Sequence, residues 1–361
     1  MNIVYFTHLS GNKSAGPTYS VPAQIQAQSK FDNVYWFNCS DIELDTWKST
    51  GVFHSIYDIP SCKICDFPKP FNTPDLVIFQ SFYIFNDCIT AWYLKKERIP
   101  YIIIPRGALT QGAQDMKRLK KVLANTLIFK SYAKNALGIQ YLTKQEYRDS
   151  GDEWNKNSII IPNGIVKKSI KKTWEDTEKI KGIYIGRLDV FHKGIDLLIQ
   201  SCKNNYRLMV ENRCTIDIHG PKTDDYNVIK AMISEAGLND VLFLRDAIYD
   251  KEKEELLLNS DFFILTSRFE GHPMGLIESL SYGLPCLITY GTNMAEEILS
   301  ANAGWVADIS VGSITQALKT LLNEKNQLME KGENALRLSC NYEWDSIAKR
   351  THNEYEEIIR G

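Results

Sequence analysis

What this 361-residue sequence lacks narrows it first. It has no excess of one charge: 42 Lys and Arg stand against 44 Asp and Glu, which excludes a protein whose whole surface is built for nucleic acid. It has no run apolar enough to cross a bilayer. The most apolar long segment, Leu76 to Leu94, is interrupted by Gln80, Asn86 and Asp87, and a helical span needs ~20 apolar residues. Met1-Asn2 leads straight into Ile3-Val-Tyr-Phe6, without the charged start and apolar core of a signal peptide, so a cytoplasmic protein is expected. Cysteine is sparse and scattered. Its eight copies, several inside strand-like apolar runs, suit reduced core thiols rather than a disulfide framework. Cys62-Lys-Ile-Cys65 has zinc-like spacing, but no second such pair and no nearby histidine pair accompany it, and no metal is expected. No GxGxxG is present, so the dinucleotide fingerprint is absent too.

What is present is organised around Asp261 to Thr289, DFFILTSRFEGHPMGLIESLSYGLPCLIT. Runs of β-forming residues predict strands at Phe262 to Leu265 and Cys286 to Thr289. Pro273 suits the first turn of a helix opening near Met274 or Gly275, and Gly283-Leu-Pro285 ends it. A strand-loop-helix-strand unit implies parallel strands, with ligands at the loop after the first strand's carboxyl end. The opening of the helix points N–H groups back at that loop and makes an anion site, where Gly275 lets a ligand approach the backbone. Glu270 in the loop and Glu278 on the helix would accept hydrogen bonds from hydroxyls on either side of the anion. An anion flanked by hydroxyl-rich groups describes a nucleotide diphosphate sugar. Paired carboxylates also serve glycosidases as general acid and nucleophile, a reading that leaves the rest of the chain unexplained.

A second ligand loop opens the C-terminal half. After Ile183-Tyr-Ile185 comes Gly186-Arg-Leu-Asp-Val-Phe-His-Lys193-Gly194, with a helix predicted from about Ile195. Arg187 offers a planar fork and Lys193 a point charge, a cationic nest for phosphate. Strands are expected at Thr215 to Ile218 and Val241 to Leu244, alternating with helices near Asp224 to Ala236 and Lys251 to Asn259. In the N-terminal half, strands at Ile3 to Phe6, Asn33 to Phe37, Leu76 to Phe79, Tyr101 to Ile104, Ile139 to Leu142 and Ile159 to Ile161 predict another doubly wound sheet. Its first loop, HLSGNKSAGPTYSVP, carries Ala15-Gly16 and precedes a helix predicted from Pro22 to Ser29. Arg106 follows a later strand on the same face, where it could meet a phosphate or an acceptor carboxylate or serve structure alone. Pro162-Asn163-Gly164 and the lysine-rich stretch to about Lys181 divide the chain into domains 1–163 and 164–342, and an amphipathic helix occupies 343–361. Asp115 to Ala136 reads as one long basic helix with Leu119, Val122, Leu123, Leu127 and Ile128 at helical spacing. A solvated face is the default for such a run, and an anionic membrane surface suits it as well.

Glu270-Gly-x-Pro-x-Gly-x-x-Glu278, followed by a helix of small residues and Gly-Leu-Pro, resembles the EX7E signature of retaining GT-B glycosyltransferases of the family 4 type. The Gly186-Arg-Leu and Lys193-Gly194 loop is similar to that family's diphosphate loop. The resemblance implies an α/β GT-B fold, with two Rossmann-like doubly wound parallel-sheet domains facing a central cleft and a terminal helix crossing back to the first. It implies that Glu270 holds the hydroxyls of the transferred sugar and Glu278 the ribose. Arg187, Lys193 and Glu270 form the catalytic set. Gly16, His272, Met274, Gly275 and Leu276 join them and Glu278 around the donor, His272 in a structural or backbone-positioning role, and Arg106 lies on the acceptor side.

The implied reaction moves a hexosyl or N-acetylhexosaminyl group from a nucleotide-sugar, UDP-sugar before GDP-sugar, to a saccharide or lipid-linked saccharide acceptor. Its setting is bacterial surface polysaccharide synthesis, at the inner face of the cell membrane, with no cofactor, no metal and no nucleic-acid partner. No residue fills the role of an enzymic nucleophile, which fits attack by the acceptor on the face the diphosphate leaves. A sugar-nucleotide epimerase of the same fold and a non-catalytic nucleotide-binding membrane adaptor are the alternatives.

Overall fold

Two parallel sheets carry the chain in the computed structural model, which describes residues 1–12, 15–174 and 178–360. The chain divides into two units, 1–164 with the terminal helix from Trp344, and 165–343. Lys13 and Ser14 of the first loop and residues 175–177 of the lysine-rich connection lie outside the described residues.

The first unit's sheet consists of β1 (Asn2–Thr7), β2 (Asn33–Asn38), β3 (Phe53–Ser55), β4 (Leu76–Phe79), β5 (Tyr101–Ile103), β6 (Gly138–Tyr141) and β7 (Ser158–Ile160), in the order β3-β2-β1-β4-β5-β6-β7. Strands buried on both faces read as unbroken apolar runs, and β1 and β4 do so, with Ile3, Val4, Tyr5, Leu76, Val77 and Ile78 all sealed from solvent. The second unit's sheet consists of β8 (Ile180–Ile185), β9 (Cys214–His219), β10 (Leu242–Arg245), β11 (Phe262–Leu265), β12 (Cys286–Thr289) and β13 (Gly304–Ala307), in the order β10-β9-β8-β11-β12-β13. Strand order reverses between β1 and β4 in one unit and between β8 and β11 in the other. In open parallel sheets, ligands bind outside the carboxyl ends of such a strand pair. The edge strands β3 and β13 have no counterpart in the sequence reading. Gly304 begins β13 because a side chain there would lie 2.0 Å from the Cys286 carbonyl oxygen.

Two helix expectations are corrected. The first helix runs Pro17–Gln28 rather than from Pro22 to Ser29. Pro17 occupies its opening turn, where a missing N–H is harmless, and Pro22 lies inside. The Thr18 carbonyl that Pro22 leaves without an N–H donor is met by the Trp47 indole at 3.4 Å. The single helix expected from Asp115 to Ala136 is broken. A short helix, Gln111–Asp115, ends before Lys117, whose φ of +54° turns the chain, and Arg118–Ala124 continues through a π-helical turn at Asn125–Phe129 into Lys130–Asn135. That turn brings Phe129, Tyr132 and Ala133 into the core.

The terminal helix, Trp344–Arg360, belongs with the first unit. Its stripe of Trp344, Ile347, Ala348 and Tyr355 is buried, it packs on the Pro17–Gln28 helix, and the Tyr355 hydroxyl donates to Gln140 at 2.6 Å. His352 lies 3.0 Å from Asp32 and so anchors this helix rather than a ligand.

Candidate functional site

In the second unit the loop after β11 lies side by side with the loop after β8 and the helix that follows it, and is fastened to them at several points. The Arg268 N–H donates to the His192 carbonyl at 2.9 Å, and the Thr266 hydroxyl to the Gly194 carbonyl at 2.9 Å. Arg268 grips Asp196 with both arms of its fork, at 2.8 and 2.7 Å. The His192 ring stacks on Phe269 with centroids 4.2 Å apart, and its Nε2 meets the Phe269 carbonyl at 2.8 Å. Arg268 also donates to the Phe191 carbonyl at 2.7 Å, and Lys193 forms an ion pair with Glu270. Gly194 makes this closeness feasible. It sits at φ +62°, and a Cβ there would lie 2.0 Å from the Thr266 carbonyl oxygen.

Glu270 accepts a hydrogen bond from the Ser267 hydroxyl at 2.7 Å besides the Lys193 ammonium. Burial pushes its carboxyl up, but the charge of Lys193, that of His192 when acid protonates it, and the hydrogen bonds from Lys193 and Ser267 together outweigh that and hold it below the ordinary carboxylate range. Glu270 is therefore an anion at neutral pH in a nearly closed site. Asn293 fixes the loop from behind by donating to the Glu270 and Gly271 carbonyls.

Arg187, half exposed, directs one guanidinium nitrogen to Asp189 at 3.2 Å and to His192 Nδ1 at 2.8 Å. Since Nε2 of His192 faces a carbonyl, that nitrogen carries the proton and Nδ1 accepts from Arg187. Burial above all holds the ring below its ordinary value of 6.5, against the pull of Glu270, so it is neutral near pH 7. His192 thus braces Arg187 against the loop that carries Glu270.

The helix Met274–Ser281 starts beside β8, where a Cβ on Gly275 would be 3.2 Å from the Ile185 carbonyl oxygen. Its opening N–H groups, on Met274 and Gly275, have no carbonyl a turn earlier within the helix to bond. Leu276 is fully buried and its N–H returns to the Pro273 carbonyl at 3.1 Å. Gly283, at φ +84°, ends the helix as the sequence predicts. Glu278 is one helical turn and more from this opening, and two ammonium groups hold it, Lys253 at 2.8 Å and Lys168 at 3.6 Å. His272 is buried with its ring 5.3 Å from that of Tyr342.

The two remaining candidates belong to the first unit. Gly16 caps the Pro17–Gln28 helix with an ordinary right-handed φ of -49°. Arg106 has φ +51°, and all five of its N–H donors are engaged by neutral partners: Gln80 twice, Gln24, Ser20 and Asn163, at 2.6 to 3.3 Å. Burial draws the guanidinium down to about 10 while Glu146 holds it up, so it stays charged at neutral pH. In this arrangement Arg106 ties β5 to the first helix and has no donor left over for a ligand.

The sequence reading brought Arg187, Lys193, Gly275, Glu270 and Glu278 forward and missed the residues that hold them: His192, Asp196, Ser267, Lys168, Lys253 and Asn293. His192 alone carried a signal, since it precedes Lys193 in the loop already singled out. The grouping of His, Cys, Asp or Glu needed for a metal ion is absent among the described residues, Cys62 and Cys65 included.

Residues 166–337 match the family described as Glycosyl transferases group 1, nearly the whole of the second unit. That unit is a group 1 glycosyltransferase domain. The chain is 22% identical over 286 residues to an uncharacterized glycosyltransferase of Methanocaldococcus jannaschii, covering 78% of this chain and 75% of that one. It is 24% identical to the N,N'-diacetylbacillosaminyl-diphospho-undecaprenol alpha-1,3-N-acetylgalactosaminyltransferase of Campylobacter jejuni, over 74% of this chain and 73% of that one. Among solved structures, Anabaena HepE in complex with UDP superposes with a TM-score of 0.75 at 13% identity, over 99% of this chain and all of that one. The group 1 domain and the sheet that precedes it therefore have the GT-B fold.

Proposed function

We propose that this protein transfers a sugar from a nucleotide-sugar, UDP-sugar in the first instance, to a saccharide or lipid-linked saccharide with retention of anomeric configuration, in bacterial surface polysaccharide synthesis. The observation that carries the reading is the Lys193 to Glu270 ion pair. It sets a cation that suits phosphate beside a carboxylate that suits sugar hydroxyls, at the carboxyl ends of β8 and β11, where the strand order reverses. The group 1 match, and relatives whose names specify transfer to a diphospho-undecaprenol saccharide or in lipopolysaccharide core biosynthesis, support the acceptor class.

In this reading the bond between the anomeric carbon and the diphosphate oxygen breaks, and its electron pair leaves with the diphosphate. The acceptor hydroxyl oxygen bonds the same carbon on the same face, and its proton passes to the departing diphosphate oxygen. Arg187, Lys193 and the N–H groups of Met274 and Gly275 stabilise the charge that develops on the leaving group. Glu270 accepts from the sugar, and Glu278 from the ribose. A carboxylate has about four lone-pair sites, so the ammonium groups on either glutamate leave room for these hydroxyls.

The test is transfer from UDP- and GDP-sugars to lipid-linked saccharide acceptors, with the anomeric coupling of the product read by NMR. A product of donor configuration supports the proposal, and an inverted product or an epimerised donor without transfer contradicts it.

A further inference from the structure

The Arg118–Ala124 helix is amphipathic in the inverted sense. Its inward side is polar: Lys121 donates to the Ala113 carbonyl and lies over the Tyr83 ring at 5.1 Å, while Asn125 just beyond it bonds Gln114 at 3.1 Å and Tyr83 at 3.1 Å. Its outward side is apolar. Leu119 is 87% exposed, Val122 56%, Leu123 62% and, past the π turn, Leu127 68%, with Met116 uncovered at the preceding break. At ~100° per residue, Leu119, Val122 and Leu123 fall within an arc of about 100°, and Arg118 and Lys120 stand about 100° to either side. The apolar row is therefore edged by cations.

A second row lies on the Phe85–Glu97 helix, where Phe85, Ile89 and Trp92 recur at helical spacing on an exposed face and Lys96 follows one turn on. This helix packs beside Lys130–Asn135, the continuation of the first, and Lys95 donates to Asn135 at 2.7 Å. Soluble proteins rarely leave such rows uncovered. An apolar strip on a projecting helix, rimmed by Lys and Arg and accompanied by tryptophan, matches the chemistry of a bilayer interface, where leucines enter the acyl boundary and cations meet anionic headgroups. No helix among the described residues is long and apolar enough to cross a membrane, so the contact lies in the surface plane.

We propose that these two helices dock the protein on an anionic lipid surface, with Leu119, Val122, Leu123, Leu127 and Trp92 inserted and Arg118 and Lys120 on the headgroups. This is independent of the donor site, which lies in the other unit. The full chain is sedimented with vesicles of phosphatidylcholine alone or with phosphatidylglycerol, and with brominated acyl chains that quench tryptophan. Binding to the anionic vesicles alone is expected, falling ~tenfold or more both in Leu119→Gln/Leu123→Gln/Leu127→Gln and in Arg118→Glu/Lys120→Glu, with unchanged circular dichroism and melting. Trp92→Phe should lower the quenching by bromine without loss of binding.

Failure of the wild type to bind anionic vesicles, or equal binding to neutral ones, overturns the proposal. So does a triple Leu variant that binds undiminished, or Trp92→Phe with unchanged quenching. A wild-type dimer that the triple variant abolishes, without vesicle binding, would assign the face to a second copy instead.

Discussion

The ammonium of Lys193 rests on the carboxylate of Glu270, joining the loop after β8 to the loop after β11 where the strand order reverses. Neither group is exposed enough for water to screen the pair freely. Each prepares the other. Lys193 keeps Glu270 ionised, and Glu270 fixes the position of the Lys193 ammonium.

Lys193→Ala removes both functions and leaves Glu270 buried without its main cation. Its carboxyl pKa then rises, and transfer falls ~10²–10³-fold, the usual consequence of losing one transition-state donor. Glu270→Gln should preserve nucleotide binding while transfer falls. Steady-state rates set beside nucleotide affinities check both outcomes.

Gly194→Ala should destabilise the group 1 domain far more than Gly237→Ala. Both glycines have positive φ, which costs a non-glycine residue ~1–2 kcal/mol. Gly237 has open space around it, whereas a Cβ at Gly194 runs into the Thr266 carbonyl at 2.0 Å. Paired denaturant melts should separate the two variants by ~2 kcal/mol or more.

Glu278→Gln should weaken UDP but leave 2′,3′-dideoxy-UDP nearly unaffected, since the contact proposed is to ribose hydroxyls. Loss of a hydrogen bond to a charged group is worth ~1.5–3 kcal/mol, about 10- to 100-fold in affinity. Equal weakening of both ligands by calorimetry would remove Glu278 from the ribose.

Acid should loosen the site. The folded-state pKa of His192 is depressed, mainly by burial, and that of Glu270 is depressed because its cations and hydrogen bonds outweigh burial. Stability from a depressed carboxyl is present above its ordinary value of 4.5 and lost as pH falls through the folded value; a histidine depressed below 6.5 likewise loses its contribution as pH falls. Protonated His192 can no longer accept from Arg187. UDP-sugar affinity should therefore decline as pH falls below about 6.5, and His192→Phe, which retains the stack on Phe269, should flatten that decline.

Much of the fold was legible because parallel strands buried on both faces announce themselves as short apolar runs. Phe262–Leu265 and Cys286–Thr289 coincide residue for residue with β11 and β12. β3 and β13 were not legible because each is an edge strand with a single partner, and their runs, Phe53–Ser55 and Gly304–Ala307, mix polar or small residues with apolar ones instead of forming an unbroken apolar row. Pro22 concealed the true start of the first helix, because the indole that meets the Thr18 carbonyl comes from Trp47. In the site, the residues at strand ends could be found by type and spacing. Their supports could not: Arg268 finds Asp196 and Glu278 finds Lys253 only through the packing of separate elements. The saturation of Arg106 by three amides and a serine is of the same kind.

Calorimetric titration of the purified protein with UDP, GDP and ADP, repeated on Arg187→Ala, tests the nucleotide-sugar account most directly. One nucleoside diphosphate should bind, UDP by preference, and the substitution should weaken it by more than ~tenfold, about 1.4 kcal/mol. Binding of none of the three, or an affinity that Arg187→Ala leaves unchanged, would contradict the donor site drawn here around Arg187, Lys193, Glu270 and Glu278.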